Sequence, residues 1–283
     1  MTSSTLAAPT VQGLAKAHPE WRAWLAVLET TAAEAAAPTW AAAVPADIAG
    51  GSPVLATTTL AIERSVVERW LRRLFGATDI AALREAAGRT DAVAVLAAAI
   101  ELDSARLAAL AEAADTPVQA FVGVAPLAAV PWLQACGGRW ASSVDGAGGA
   151  SCPVCGAWAA LAEARGLERE RRLRCARCGG DWRTEWLRCP FCGVDDHARL
   201  TSLVADATGE TRKVEACREC STYVKTVTTL SAADPAALRL LDLATVDLDV
   251  AALERGFTRP AGLGQPLGVT VVERRASQRF WRR

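Results

Sequence analysis

Hydrophobic residues change their spacing near the middle of this chain. Over the first 140 residues they recur at three- and four-residue steps, the period of one helix face. From Pro19, Trp21, Trp24, Leu25 and Leu28 put two indoles and two leucines on one side until Pro38 stops the run. Pro38 to Pro53 reads as a connector of Ala, Pro and Gly. The best-defined helix is predicted from Leu55 to Phe75. Ile62, Val66, Trp70 and Leu74 line one side of it, Arg64, Glu68 and Arg72 another, and Gly76 ends it. Thr78 can cap a short helix to Ala87, and Thr90 or Asp91 a further one to Ala114 that Asp103-Ser104 divides. Thr116 to Gly138 is uncharged and long enough to span a membrane. Three prolines, Pro117, Pro126 and Pro131, together with Gln119 and Gln134 fit a broken, buried hairpin better.

The pattern then gives way to cysteine. Eight of the nine cysteines form four C-x-x-C pairs: Cys152/Cys155, Cys175/Cys178, Cys189/Cys192 and Cys217/Cys220. A C-x-x-C turn aims two thiolates at one ion, and a following glycine permits the tight backbone it needs; Gly156, Gly179 and Gly193 follow three of the pairs, and Ser221 the fourth. Four thiolates complete a tetrahedral site, so eight make two sites. Sequential pairing puts Cys152, Cys155, Cys175 and Cys178 in one and Cys189, Cys192, Cys217 and Cys220 in the other. It is preferred over a cross-braced arrangement because each half is then a self-contained knuckle, hairpin and knuckle of the zinc-ribbon or rubredoxin kind. Arg199 to Val204 and Thr211 to Glu215, around a turn at Ala207 to Gly209, read as the second hairpin. Thiol-disulfide exchange would need only one such pair. The ligand sets need neither His197 nor Cys136, and Cys136 reads as a small buried hydrophobe.

Charge narrows the function. Lys and Arg together number 31, as do Asp and Glu, so the overall basic excess of a sequence-independent nucleic-acid binder is missing. The span from Cys152 to Lys225 carries 13 Arg and Lys against 11 Asp and Glu. The run Arg169, Arg171, Arg172 and Arg174 is mixed with Glu168 and Glu170, which reads as a solvated face and makes a nucleic-acid-binding zinc ribbon the weakest reading. Met1 to Lys16 lacks a basic start followed by an apolar run, so no export signal is expected and the chain is placed in the cytoplasm, where clustered thiols are metal ligands and not a disulfide framework. No acid, base or nucleophile set stands out, and no enzyme activity is expected.

The order of the motifs resembles one family. C-P-V-C-G at Cys152, an arginine-rich approach to Cys175 with Asp181-Trp182 behind it, C-x-x-C-G at Cys189, then Glu215-x-Cys217-x-x-Cys220-x-x-Tyr223-Val-Lys225, Asp242 to Asp249 and Glu254-x-Gly256-Phe257 are similar to the formate dehydrogenase accessory proteins of the FdhE type. The resemblance implies a non-enzymatic maturation or assembly factor that binds the catalytic subunit of a respiratory formate dehydrogenase before export. Iron is associated with that family's cysteine sites, so iron or zinc, one ion per four-cysteine set, is the implied cofactor. A rubredoxin-type iron electron carrier is the alternative function. The expected partners include neither nucleic acid nor an inserted membrane, and a homodimer is compatible with the sequence.

The fold class expected is α+β: an all-helical domain over 1–141, a Gly/Ser-rich linker over 142–151, two small rubredoxin-like or zinc-ribbon metal modules over 152–188 and 189–228, and a C-terminal helical segment over 229–260. The first 17 residues read as a loose arm. Residues 261–283, with Arg274, Arg275, Arg279, Arg282 and Arg283 around Phe280 and Trp281, read as a basic disordered tail or as an arm that docks on an acidic partner.

Overall fold

The computed structural model describes residues 8–47, 51–141, 149–204 and 211–274. Part of the loose arm (1–7), most of the linker (142–148), the turn at Ala207 to Gly209 and the arginines beyond Arg274 lie outside the described residues. The fold is mixed helix and sheet, with helices preceding two zinc-ribbon-like modules.

The helices pack around Trp40, Trp70 and Trp132, whose indole N–H groups each reach an acceptor. α1 (Val11–Ala17) is capped by Thr10, whose Oγ1 accepts from Gly13 at 3.0 Å, and Leu14 buries it, so the second half of the expected loose arm is helical. α2 (Arg22–Ala35) turns Leu25, Val27 and Leu28 inward, whereas Trp24 is exposed. The two-indole core face is therefore corrected: inward residues are those that meet α4 and α9, and Trp21 instead stacks on His18 at 3.8 Å. α3 (Pro38–Ala41) buries Trp40, which donates to Glu34 at 2.9 Å.

The long helix predicted from Leu55 begins later. Thr57 to Thr59 is a β-branched run that loses side-chain freedom in a helix and suits a strand. Thr59 to Ile62 accordingly form β1, and α4 runs from Arg64 to Gly76 with Val67, Trp70, Leu71, Leu74 and Phe75 buried. The expected Arg72–Glu68 pair forms at 3.3 Å, but Arg64 turns away to Asp91 and Glu273. α5 (Ala81–Ala86) follows. Asp91 caps α6 (Ala92–Glu101), Asp103 caps α7 (Ser104–Ala113), and the break falls at Asp103-Ser104.

The apolar stretch is not a hairpin. α8 (Val118–Val124), a 3₁₀ turn (Ala125–Ala129) and α9 (Val130–Trp140) follow one another in one direction. Pro126 and Pro131 each sit in the first turn of their segment, where a missing N–H costs nothing. By length and composition this stretch could cross a membrane, yet most of its apolar window is buried inside the fold. Trp70 donates to the Ala128 carbonyl at 2.9 Å and Trp132 to the Ala43 carbonyl at 3.1 Å, so the stretch is the axis of the helical core.

Among the described residues, eight strands follow or flank the helices. β2 (Leu161–Arg165), β3 (Glu170–Arg174) and β4 (Asp181–Arg183) form the first module, and β5 (Leu200–Val204), β6 (Arg212–Cys217) and β7 (Tyr223–Thr229) the second. They merge into one six-stranded sheet in the order β4-β3-β2-β7-β6-β5. The seam is parallel, with Ala162 opposite Thr226 and Arg165 opposite Thr229. α10 (Pro235–Ala244) packs Leu238 and Leu241 on Leu161 and Val227, and α11 (Val246–Leu253) packs Leu248 and Ala252 on Val214, Ala216 and Tyr223. Finally β8 (Thr270–Glu273) pairs in parallel with β1, so four residues of the expected disordered tail are ordered by a strand more than 200 residues earlier.

The helical part and the first module share one hydrophobic core, in which Trp132, Leu133 and Cys136 join Val154, Leu173 and Trp182. Contact is closest at Gly137 of α9, where a β-carbon would lie 1.9 Å from the Cys178 carbonyl oxygen. Gly137→Ala is expected to destabilise the protein by about 1–3 kcal/mol or more, the range for overpacking a tight interior. Gly138→Ala, with nothing within 4 Å of the added carbon, should leave stability nearly unchanged. Thermal unfolding of the two variants side by side checks the pair.

Candidate metal centres

The four C-x-x-C turns are copies of one backbone loop. In three of them the glycine after the second cysteine returns its N–H to the carbonyl of the first: Gly156 to Cys152 at 2.8 Å, Gly179 to Cys175 at 2.9 Å and Gly193 to Cys189 at 2.9 Å. The first cysteine's own N–H then bonds the residue five positions on, as in Cys152 to Ala157, Cys175 to Gly180, Cys189 to Val194 and Cys217 to Thr222. Each loop closes through a left-handed residue, with φ of 69°, 76° and 78° at the three glycines and 54° at Ser221. The fourth turn thus adopts the same shape without glycine, at the steric cost a β-carbon carries there.

These loops bring the sulfurs together sequentially. Cys152, Cys155, Cys175 and Cys178 form one group, and Cys189, Cys192, Cys217 and Cys220 the other, with all sulfurs of a group within 4.8 Å of one another. Closest approaches are 3.4 Å for Cys152–Cys178, 3.5 Å for Cys155–Cys175, and 3.7 Å for both Cys189–Cys220 and Cys192–Cys217. A disulfide needs about 2.05 Å. A tetrahedron of thiolates around an ion with metal–sulfur bonds of about 2.3 Å has edges of about 3.8 Å. The donor sets therefore fit a four-thiolate metal ion. Burial pushes the Cys152 and Cys189 thiols up, Cys189 to about 12, so full deprotonation of either set needs the charge of a bound cation.

The two centres differ in setting. All four cysteines of the first are buried in the shared core, and Gly180 leaves room for them: a β-carbon there would lie 2.8 Å from the Cys152 sulfur. In the second, Cys192 is exposed and Cys220 half-buried, with the Cys220 sulfur 2.8 Å from the Thr222 hydroxyl. Cys136 is buried on α9 near Cys155 but belongs to neither group, and burial pushes its thiol far up.

Ion pairs inside the sheet fasten the centres to each other. The arginine run is a solvated face only at Arg169. Arg171 and Arg174 are almost fully buried, and they pair with Glu215 of the second module at 2.9 Å and with Glu163 at 2.6 Å. Alternation along β3 puts these side chains on the sheet's covered surfaces, and acidic residues distant in sequence meet them there. Trp186 sits between Arg171 and Lys213 and takes both cations on its ring.

A second network holds α10 and α11. The Lys225 ammonium is wholly buried, 2.8 Å from Asp242 and 2.7 Å from Asp249. Arg259 joins the same carboxylates at 2.6 and 2.9 Å, and the Tyr223 hydroxyl donates to Asp249 at 2.6 Å. Burial alone would raise the Asp249 carboxyl, but the charges and hydrogen bonds of Lys225, with Tyr223 and Arg259, more than offset it and hold the group below its ordinary value. Arg259 and Glu163 went unnoticed in the sequence, because neither sits in a spacing pattern that marks a partner.

A helical core fused to tandem four-cysteine ribbons in one sheet defines a class of protein whose modules can each hold an ion. Residues 187–263 match the family model described as FdhE, C-terminal domain. That match takes in the second centre and the whole Lys225 network. A protein from Stutzerimonas stutzeri (strain A1501), described as a Protein FdhE homolog, is 35% identical over 113 residues; the match covers 39% of this chain and spans 36% of the relative's length. The crystal structure of the FdhE protein from Pseudomonas aeruginosa shares the fold, with a TM-score of 0.55 at 22% identity over 91% of this chain and 93% of that one. The similarity to FdhE proteins is carried in sequence by the C-terminal part of the chain and in fold by nearly its whole length.

Two outcomes are expected. Lys225→Ala leaves the half-buried Asp242 and Asp249 with Arg259 as their remaining cation and should cost about 1.5–3 kcal/mol in urea unfolding. Because the Asp249 carboxyl is depressed in the folded state, its contribution is complete above the unfolded value near 4 and lost as pH falls through the lower folded value, so the deficit of Lys225→Ala should shrink in acid. Protein loaded with two equivalents of zinc should release one to a chelator quickly and the other slowly, and Cys192→Ser should abolish the fast phase alone.

Proposed function

We propose that the chain is a cytoplasmic, non-enzymatic maturation or assembly factor that binds the catalytic subunit of a respiratory formate dehydrogenase before that subunit is exported. The observation that carries this reading is the FdhE C-terminal domain over residues 187–263, which coincides with one structural unit: the second centre, its hairpin and the helices locked on by Lys225. Cys152, Cys155, Cys175 and Cys178, and separately Cys189, Cys192, Cys217 and Cys220, would each hold one iron or zinc ion. Such ions would cross-link loops too short to fold on a hydrophobic core of their own. With the sheet continuous across both modules and the helical core seated on the first, the chain would meet its partner as a rigid surface. No nucleic-acid partner is part of the reading, since Glu215 and Glu163 already hold the buried arginines Arg171 and Arg174.

One observation favours a second reading, a rubredoxin-type iron electron carrier. Exposure of Cys192 puts the second centre at the surface, where an electron could enter or leave. Zinc held by four thiolates has no redox chemistry, whereas iron in the same cage does.

Tagged protein purified without oxygen from anaerobically grown cells is expected to bring down the formate dehydrogenase catalytic subunit, and failure to recover it would overturn the assembly reading. Metal analysis and visible absorption of the same sample address the second: a colourless protein with two equivalents of zinc excludes electron transfer at these sites.

A further inference from the structure

Two further arginines, Arg177 and Arg239, belong to none of the networks described above. Arg177 lies inside the Cys175–Cys178 knuckle and Arg239 on α10. Geometry brings them together. Asp234 caps α10, its carboxylate accepting from Ala236 at 2.8 Å, and Pro235 rests on the knuckle so closely that a β-carbon on Gly179 would lie 2.7 Å from its ring. One helical turn later Arg239 stands beside Arg177.

Neither guanidinium has a carboxylate within 4.0 Å among the described residues. Arg177 gives one N–H to the Ala99 carbonyl at 2.5 Å, while its Nε and Nη1 are shielded from solvent with no acceptor. The Nη2 of Arg239 is likewise shielded and unmatched, and no other atom of that side chain finds an acceptor either. Both side chains are half-buried, so part of each guanidinium still meets water, but the shielded donors lack acceptors and two like charges adjoin. Burial, with Arg177 beside it and the Cys175 sulfur opposing, pushes Arg239 down to about 10, so it stays charged at neutral pH.

Both line an open groove of about 480 Å³ between the helical core and the C-terminal helices, a volume typical of small-molecule sites. Leu28, Leu127, Val130, Leu243 and Val246 make its walls largely apolar. Asp242 and Asp249 also reach it, but Lys225 and Arg259 already hold them. What Arg177 and Arg239 lack is a carboxylate of their own among the described residues.

We propose that this groove binds a small molecule with an oxyanion head, carboxylate or phosphate, on an apolar body, the head held by Arg177 and Arg239 and the body covered by the leucines and valines. Paired guanidiniums suit either head group, since each presents N–H donors in a planar fork. The competing role is to offset the negative charge of the neighbouring four-thiolate centre. That role does not require the donors to line an apolar groove, and experiment separates the two.

The test uses the full chain loaded with two equivalents of zinc, titrated calorimetrically at constant ionic strength with hexanoate, hexyl phosphate and inorganic phosphate. Saturable binding is expected for at least one hexyl compound, tighter than for inorganic phosphate by tenfold or more, and the better of the two identifies the head group. Arg239→Met should abolish that binding and, because it removes a half-buried charge with an unmatched donor, raise the melting temperature of the anion-free protein with zinc content unchanged. Absence of saturable binding by all three anions would overturn the proposal, as would unchanged affinity in both Arg239→Met and Arg177→Gln. So would an Arg239→Met protein that melts lower and loses zinc to a chelator faster, for the arginines would then serve the thiolate centre.

Discussion

The first four-cysteine cluster is the point on which the rest of this molecule leans. Its sulfurs lie in the same apolar core as Trp132 and Trp182, so the helical part has no separate interior of its own. α9 rests on it with a bare glycine, β1's approach bonds its first knuckle through Val54 and Leu55, and α10 begins on its second. A cluster in that position has two tasks. It closes loops that are too short to fold alone, and it presents a rigid platform against which three distant segments are placed.

From that platform the sheet carries order outward. The parallel pairing of β2 with β7 joins the modules edge to edge, and Arg171 and Glu215 bridge the same boundary with buried charge. Buried ion pairs add little net stability over apolar packing, but they penalise any register that separates the partners. Arg174 with Glu163, and Lys225 with Asp242 and Asp249, work in the same sense on the helices that cover the sheet. The second cluster, by contrast, ends in an exposed cysteine. One centre is thus placed to hold the architecture, and the other to meet solvent or a partner.

Reading the chain in order succeeded where the signal was local. Asp91 and Asp103 declared their helix starts by residue type, and the C-x-x-C-G turns declared their loop geometry, since only a left-handed residue closes that turn easily. It failed where a distant segment decided. Thr59 to Ile62 became a strand because residues 270–273 lie beside them, and Trp24 stayed outside because α4 and α9 occupy the other side of its helix. The arginines before Cys175 looked solvated because their acidic neighbours in sequence seemed sufficient. Alternation along β3 instead sends Arg171 and Arg174 to partners 44 and 11 residues away.

By itself the sequence determined the helical first half, the eight thiols and their grouping into two sets, because each depends on spacing within a few residues or on short loops of set length. Tertiary structure alone decided that the modules share one sheet, that the helical part and first centre share one core, and that the chain's end returns to β1. It also decided which charges are matched. A charge finds its partner by the approach of surfaces, and Arg177 and Arg239, ordinary in sequence, stand out only because folding brings them together without a carboxylate partner among the described residues.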